Sequence, residues 1–156
     1  MSTTIYKFRY IPTNMTIDDT VAKPGIGQTI VIIDDEAAIL QVYGFMLESR
    51  GYFVQKFSTG ADAIAELTKV EPHLAIIDFR LPDISGIELY GAIKLFHPNL
   101  QVLFNSGSID PSYVSMLAKQ CNLTSHHFIE KTCEPAVLFD RVAHLCKQSQ
   151  ERFESL

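Results

Sequence analysis

The stretch His73-Leu74-Ala75-Ile76-Ile77-Asp78-Phe79-Arg80-Leu81-Pro82-Asp83-Ile84-Ser85-Gly86 decides the fold. Its apolar run, Leu74 to Ile77, delivers one carboxylate, Asp78, and stops in a loop marked by Pro82 and Gly86. A short apolar run between turn signals predicts a strand buried on both faces, the situation of a parallel sheet covered by helices. An acid at the end of such a strand sits at the rim of the sheet, where open α/β folds bind ligands. Taken alone, Asp78 is equally well read as a polar residue that ends a strand.

The flanking chain repeats the pattern. Upstream, Thr29 to Ile33 is a β-branched strand followed at once by Asp34-Asp35. A helix is expected over about 36–50, with Ile39, Val42, Tyr43, Met46 and Leu47 at helical spacing and Gly51 closing it. Tyr52 to Phe57 reads as a second strand, and Thr59-Gly60-Ala61-Asp62 as the start of a second helix that ends before Pro72. Downstream, Ser85-Gly86-Ile87-Glu88 is a capping box opening a helix to about Phe96, stopped by His97-Pro98. Leu100 to Asn105 is the fourth strand and delivers Ser106-Gly107. Asp110-Pro111 supplies an N-cap and a first-turn proline for a helix to about Gln120. His126 to Ile129 is a fifth, shorter strand delivering Lys131, and a last helix spans about 135–148, its mostly apolar stripe made by Val137, Leu138, Arg141, Val142 and Leu145. Five strands alternating with five helices predict an α/β, doubly wound parallel sheet of flavodoxin-like order 2-1-3-4-5.

Composition narrows the function. The chain has 156 residues, 47% hydrophobic and 20% charged, which is ordinary for one soluble domain. A net charge of −5 without a Lys/Arg run argues against direct nucleic-acid binding. No apolar stretch reaches membrane-spanning length and no signal-peptide layout is visible, so a cytoplasmic location without membrane insertion is expected. Cys121, Cys133 and Cys146 form no CxxC and read as reduced packing residues. Residues 28–148 are expected to form the one domain, 149–156 a short tail, with no output domain. Residues 1–27 differ: Tyr6, Phe8 and Tyr10 alternate with Lys7 and Arg9, which suits either a flexible extension or an aromatic docking strand.

Every informative polar group follows a strand. Asp34 and Asp35 follow the first, Asp78 the third, Ser106 the fourth and Lys131 the fifth. In the expected order, strands one and three are neighbours about 4.8 Å apart, so three carboxylates crowd together and call for a cation. Mg²⁺ suits a site of few carboxylates plus water and phosphate. Lys131 adds a movable positive charge and Ser106 a hydroxyl, and the set points to phosphoryl transfer onto Asp78. Each group has a plainer use: Asp34-Asp35 as helix caps, Ser106 as a turn residue, Lys131 as a surface lysine. Their coincidence at successive strand ends is what favours the chemistry.

The runs Ile30-Val31-Ile32-Ile33-Asp34-Asp35-Glu36, Ile76–Gly86, Asn105-Ser106-Gly107 and Phe128-Ile129-Glu130-Lys131 together resemble the receiver domains of two-component response regulators, over about residues 28–148. The resemblance implies that Asp78 accepts a phosphoryl group from a histidine kinase or phosphotransfer protein. It implies Mg²⁺ held by Asp34, Asp35, Asp78 and the backbone carbonyl of Arg80. Ser106 is then the switch hydroxyl, Phe128 the switch aromatic and Lys131 the phosphate-binding lysine. A downstream protein partner is expected on the face of the fourth helix, fifth strand and fifth helix, or else onward phosphotransfer. By that likeness the protein is a self-phosphorylating and self-dephosphorylating switch, not an enzyme with an external substrate. Thr132 stands where the family usually has a cis proline; a cis bond to a non-proline costs about 3–4 kcal/mol, so a trans Lys131–Thr132 bond is expected.

Two other readings compete. Aspartyl phosphatases of the haloacid dehalogenase type also use a strand-end aspartate, but need an acid two residues later, where Arg80 stands. A receiver-like adaptor that signals without phosphate would not need all five site groups. His126, His127 and Asp110 lack partners by spacing and are read as surface or packing residues.

Overall fold

The computed structural model describes residues 24–155. Five parallel strands, β1 (Thr29–Ile33), β2 (Phe53–Phe57), β3 (Leu74–Asp78), β4 (Gln101–Ser106) and β5 (Phe128–Glu130), form one sheet in the order β2-β1-β3-β4-β5. Helices α1 (Ala37–Ser49), α2 (Gly60–Leu67), α3 (Gly86–Phe96), α4 (Pro111–Cys121) and α5 (Pro135–Glu154) alternate with them. The expected architecture and strand order are those observed. The aromatic alternation at Tyr6–Tyr10 lies outside the described residues.

β3 is buried at all five positions, which is why it reads as an unbroken apolar run. Alternate side chains of the sheet feed two cores. Ile30, Ile32, Leu74, Ile76, Leu103 and Ile129 pack with α1 and α5. Val31, Ile33, Ala75, Ile77, Val102 and Phe104 pack with α2, α3 and α4. Both cores are closed by apolar helix faces, and the strand ends are left as the rim where polar groups collect.

The expected caps are present. Thr59 accepts from the Asp62 N–H, Ser85 and Glu88 form the reciprocal capping box, and Asp110 accepts from the N–H groups of Ser112 and Tyr113 ahead of Pro111. Gly51 takes a positive φ of 90° immediately after the α1 cap, and Asn122 ends α4 in the left-handed region.

Three element boundaries and one expected burial differ from the expectation. Tyr52 precedes β2, its N–H bonded to the Leu47 carbonyl. β5 starts at Phe128, because Ser125–His127 form a 3₁₀ turn in which the Thr124 N–H donates to His127 Nδ1. α5 continues past Gln148 to Glu154, since Ser149 keeps a buried face beyond Cys146 and no Gly or Pro intervenes. Val42, expected on the buried stripe of α1, is half exposed. The 3₁₀ turn buries His127 and stacks the exposed His126 on His144 at 4.7 Å, packing and surface roles as expected.

Candidate functional site

Register brings the strand-end residues together. Ile33 of β1 pairs with Ile77 of β3, so Asp34 and Asp78 end adjacent strands on the same side of the sheet. Asp34 and Asp78 are buried, Asp35 is exposed, and one oxygen from each of the three lies within 4.8 Å of the others. Two unit charges at that spacing repel by roughly 3.5 kcal/mol at an effective dielectric of 20. The side chain that answers this repulsion is Lys131. Its Nζ lies 3.0 Å from Asp34 Oδ2, 3.1 Å from Asp78 Oδ2 and 2.5 Å from Glu36 Oε1. Lys131 is placed by its own backbone, whose N–H donates to the Ser106 carbonyl at 2.8 Å where β4 and β5 end together.

The electrostatics follow from burial and these contacts. Burial holds the Asp34 carboxyl above its usual value, and neighbouring Asp78 adds to the shift while Lys131 and the Glu36 N–H oppose it. Burial alone would lower the Lys131 pKa, but hydrogen bonds to Glu36, Asp34 and Asp78 outweigh it and hold the ammonium firmly protonated. Lys131 thus faces three carboxylates, with Asp35 clustered beside two of them. Among the described residues, Asp34 Oδ2 makes the ion-pair contact alone, without a hydrogen bond of its own.

The loop after β3 is built to hold Asp78. The Arg80 N–H donates to Asp78 Oδ1 at 3.3 Å, Arg80 and Ser85 form an antiparallel bridge, and the Gly86 N–H bonds the Phe79 carbonyl. Gly86 is required here: a Cβ would lie 2.2 Å from the Asp78 carbonyl oxygen and 2.9 Å from Phe79 Cα. Asp83 ties the same loop to α2, its two oxygens accepting from the Gly60 and Ala61 N–H groups at 2.9 and 2.8 Å. Those bonds pull the Asp83 pKa down. Nothing in the local sequence signalled this tie, because the bonded partners lie more than twenty residues away.

Ser106 stands at the end of β4, and its hydroxyl donates to the Ser108 carbonyl at 2.8 Å and accepts the Ser108 N–H. Phe128 is 6% exposed and stacks at 5.6 Å on Phe104, which stacks at 4.9 Å on Phe79, the residue after Asp78. Tyr113 of α4 closes the series edge-on to Phe79 at 5.9 Å. A cleft of about 280 Å³ opens between Arg80, Ser106, Ser108, Asp110 and Tyr113. The sequence reading placed Phe128 but missed Phe79, Phe104 and Tyr113, whose only signal is a high density of aromatics near strand ends. Glu36 was legible as the third acid of a run, without a role. No cis peptide bond occurs among the described residues, so Lys131–Thr132 is trans as expected.

With the sheet order and the strand-end acids described, the model of the response regulator receiver domain family matches residues 30–143 of the sequence. The chain belongs to that family. This receiver domain is 32% identical over 105 residues to the luminescence regulatory protein LuxO of Vibrio campbellii, a match covering 66% of the chain and 22% of that protein. It is 36% identical over 77 residues to the transcriptional regulatory protein CreB of Escherichia coli, covering 49% of the chain and 34% of CreB. The chain thus spans only a fifth to a third of these relatives. Among solved structures, a CheY-like receiver domain from Methanospirillum hungatei superposes with a TM-score of 0.72 at 24% identity, covering 80% of this chain and 98% of that one. The DrrB receiver domain, solved in a BeF3-activated form, gives 0.67 at 26% identity, with 77% and 97% covered. No helix among the described residues is long and apolar enough to cross a membrane.

Proposed function

We propose that this receiver domain is a phosphorylation-driven switch in which Asp78 accepts a phosphoryl group from the phosphohistidine of a kinase or phosphotransfer protein. The observation that carries the proposal is Asp78 itself: a carboxylate 5% exposed, at the end of the central strand, with two acids within 4.8 Å and one lysine at 3.1 Å. An Asp78 oxygen attacks phosphorus, the new O–P bond forming as the bond to the donor nitrogen breaks. Lys131 moves from Asp78 Oδ2 to a phosphoryl oxygen, and the Ser106 hydroxyl leaves Ser108 to donate to another.

Asp34, Asp35, Asp78 and the Arg80 carbonyl would hold Mg²⁺, a fit supported by clustered hard oxygens whose charge one lysine does not balance. When bound, Mg²⁺ neutralises charge on the transferring group. Neither reaction nor site calls for an external substrate, so the output is a change of surface. Rearrangement of the segment Ser106–Asp110 would reach α4 and Tyr113, with Phe128 already packed inward on Phe104. Exposed Tyr113 and Met116 on α4 and Val137 on α5 are the apolar contacts we assign to a downstream protein partner on the α4-β5-α5 face.

The test is to add beryllofluoride or acetyl phosphate with Mg²⁺ to wild type and Asp78→Asn, reading the adduct by mass spectrometry and spectral shift. A Mg²⁺-dependent adduct lost in the variant is expected. Absence of any adduct across Mg²⁺ concentrations would overturn the proposal in favour of an adaptor that works without phosphate.

A further inference from the structure

Beneath the acidic site lies a polar pair that none of the site groups accounts for. Asn105 of β4 is 1% exposed and pairs in register with Asp78 of β3, so the two side chains stand on the same side of the sheet one strand apart. Its Oδ1 accepts a hydrogen bond from the buried Tyr43 hydroxyl at 3.2 Å, while its Nδ2 has no partner among the described residues. A buried, unpaired amide donor carries an uncompensated desolvation cost, and an apolar residue would fill that position without it. The bond to Tyr43 occupies the amide oxygen, so Nδ2 is the donor left over on the sheet face that Asn105 shares with Asp78. The adjacent acceptor there is the Asp78 carboxylate, which receives only a 3.3 Å bond from the Arg80 N–H and the contact to Lys131.

We infer that Asn105, oriented by Tyr43, is a positioning residue for the phosphorylated state of Asp78. This rests on the proposed phosphoacceptor role. When Lys131 leaves Asp78 Oδ2 for a phosphoryl oxygen, the carbonyl oxygen of the new acyl phosphate loses its strongest donor. Asn105 Nδ2 replaces it, so the donor without a partner in this structure gains one in the activated protein. An interaction made in one state alone shifts the equilibrium toward that state.

The test compares wild type, Tyr43→Phe, Asn105→Leu and the double variant for Mg²⁺ affinity, beryllofluoride affinity at saturating Mg²⁺ and thermal stability. Beryllofluoride affinity is expected to fall about tenfold in Asn105→Leu, the equivalent of roughly 1.4 kcal/mol. Tyr43→Phe should fall less, and Mg²⁺ affinity should hold in both. The double variant removes both polar partners, keeps the site packed, and should match Asn105→Leu. In ¹⁵N spectra of wild type, the Asn105 side-chain amide signal should move on beryllofluoride binding and not on Mg²⁺ alone. Unchanged beryllofluoride affinity in Asn105→Leu and the double variant, or losses that merely follow thermal stability, would overturn the inference. No beryllofluoride adduct in wild type would instead overturn the phosphoacceptor reading beneath it.

Discussion

The two ends of the sheet both bury polar groups, but in opposite ways. At the amino end, His73 Nδ1 accepts the Thr29 N–H while the His73 N–H donates to the Thr29 carbonyl, a closed exchange. His127 is likewise held by Thr124, and Lys94 of α3 donates to the Pro98 and Leu100 carbonyls. Those groups complete backbone hydrogen bonds that loops would leave open. At the carboxyl end, Asp34, Asp78 and Glu36 share Lys131, and Asp35 crowds the same two aspartates. Burial of a polar group is therefore not the mark of function in this molecule. The mark is a demand for charge that the chain itself does not meet.

The largest test of that contrast is steric. Gly86→Ala puts a methyl against the Asp78 and Phe79 backbone, which has no rotamer with which to yield. A loss of about 3 kcal/mol of stability is expected, with loss of the beryllofluoride adduct. Gly91→Ala, on the exposed face of α3 where a Cβ meets nothing within 4 Å, serves as the control and should stabilise slightly. Equal effects in urea denaturation would show that the Asp78 loop is not held as tightly as the contacts indicate.

Next comes the unmet charge. Mg²⁺ at about ten times its dissociation constant should stabilise the native state by about 1.4 kcal/mol, and Asp35→Asn should remove most of that gain. Asp35 is exposed, so the substitution leaves the core intact. A Mg²⁺ gain that survives in Asp35→Asn would place the ion elsewhere.

The amino end should respond to protons instead. Burial holds His73 and His127 below their ordinary value of 6.5, so both stay neutral when folded. The unfolded chain takes up protons as pH falls through 6.5. Stability is thus fully present above 6.5 and is lost as pH drops toward the lower folded values. With Mg²⁺ saturating, the urea midpoint should decrease between pH 7.5 and 5.5, and His127→Gln should flatten part of that slope. An unaltered slope would remove His127 from the account.

How much of this was legible in the chain follows from where each signal lives. β1, β3 and β4 were plain because strands buried on both faces read as mainly apolar runs. Asp34 and Asp78 were plain because each directly ends such a run, whereas Lys131 follows the exposed Glu130 of the short β5. Asn105 was hidden by the same logic: one amide inside an apolar strand carries no sign of which neighbour it faces. Asp83 and Tyr43 were hidden because their partners come from elements 22 and 62 residues away. The true end of α5 escaped because Ser149 and the Lys147–Glu151 pair look like surface, whereas the helix continues wherever one buried position per turn persists.

The smallest expected effect lies at the mouth of the site. Arg80 is exposed beside the cleft that leads past Ser106 and Tyr113, and its backbone N–H, not its side chain, holds Asp78. Truncating the side chain therefore leaves the acid in place and changes only how readily water approaches a phosphoryl group on it. Arg80→Ala should shorten the acyl-phosphate lifetime about threefold, a change of roughly 0.6 kcal/mol in the hydrolysis barrier. Lifetime is read by decay of the acetyl-phosphate adduct after the donor is removed. If the lifetime is unchanged while the adduct still forms, the cleft does not govern water access, and the barrier is set by Lys131 and the acids alone.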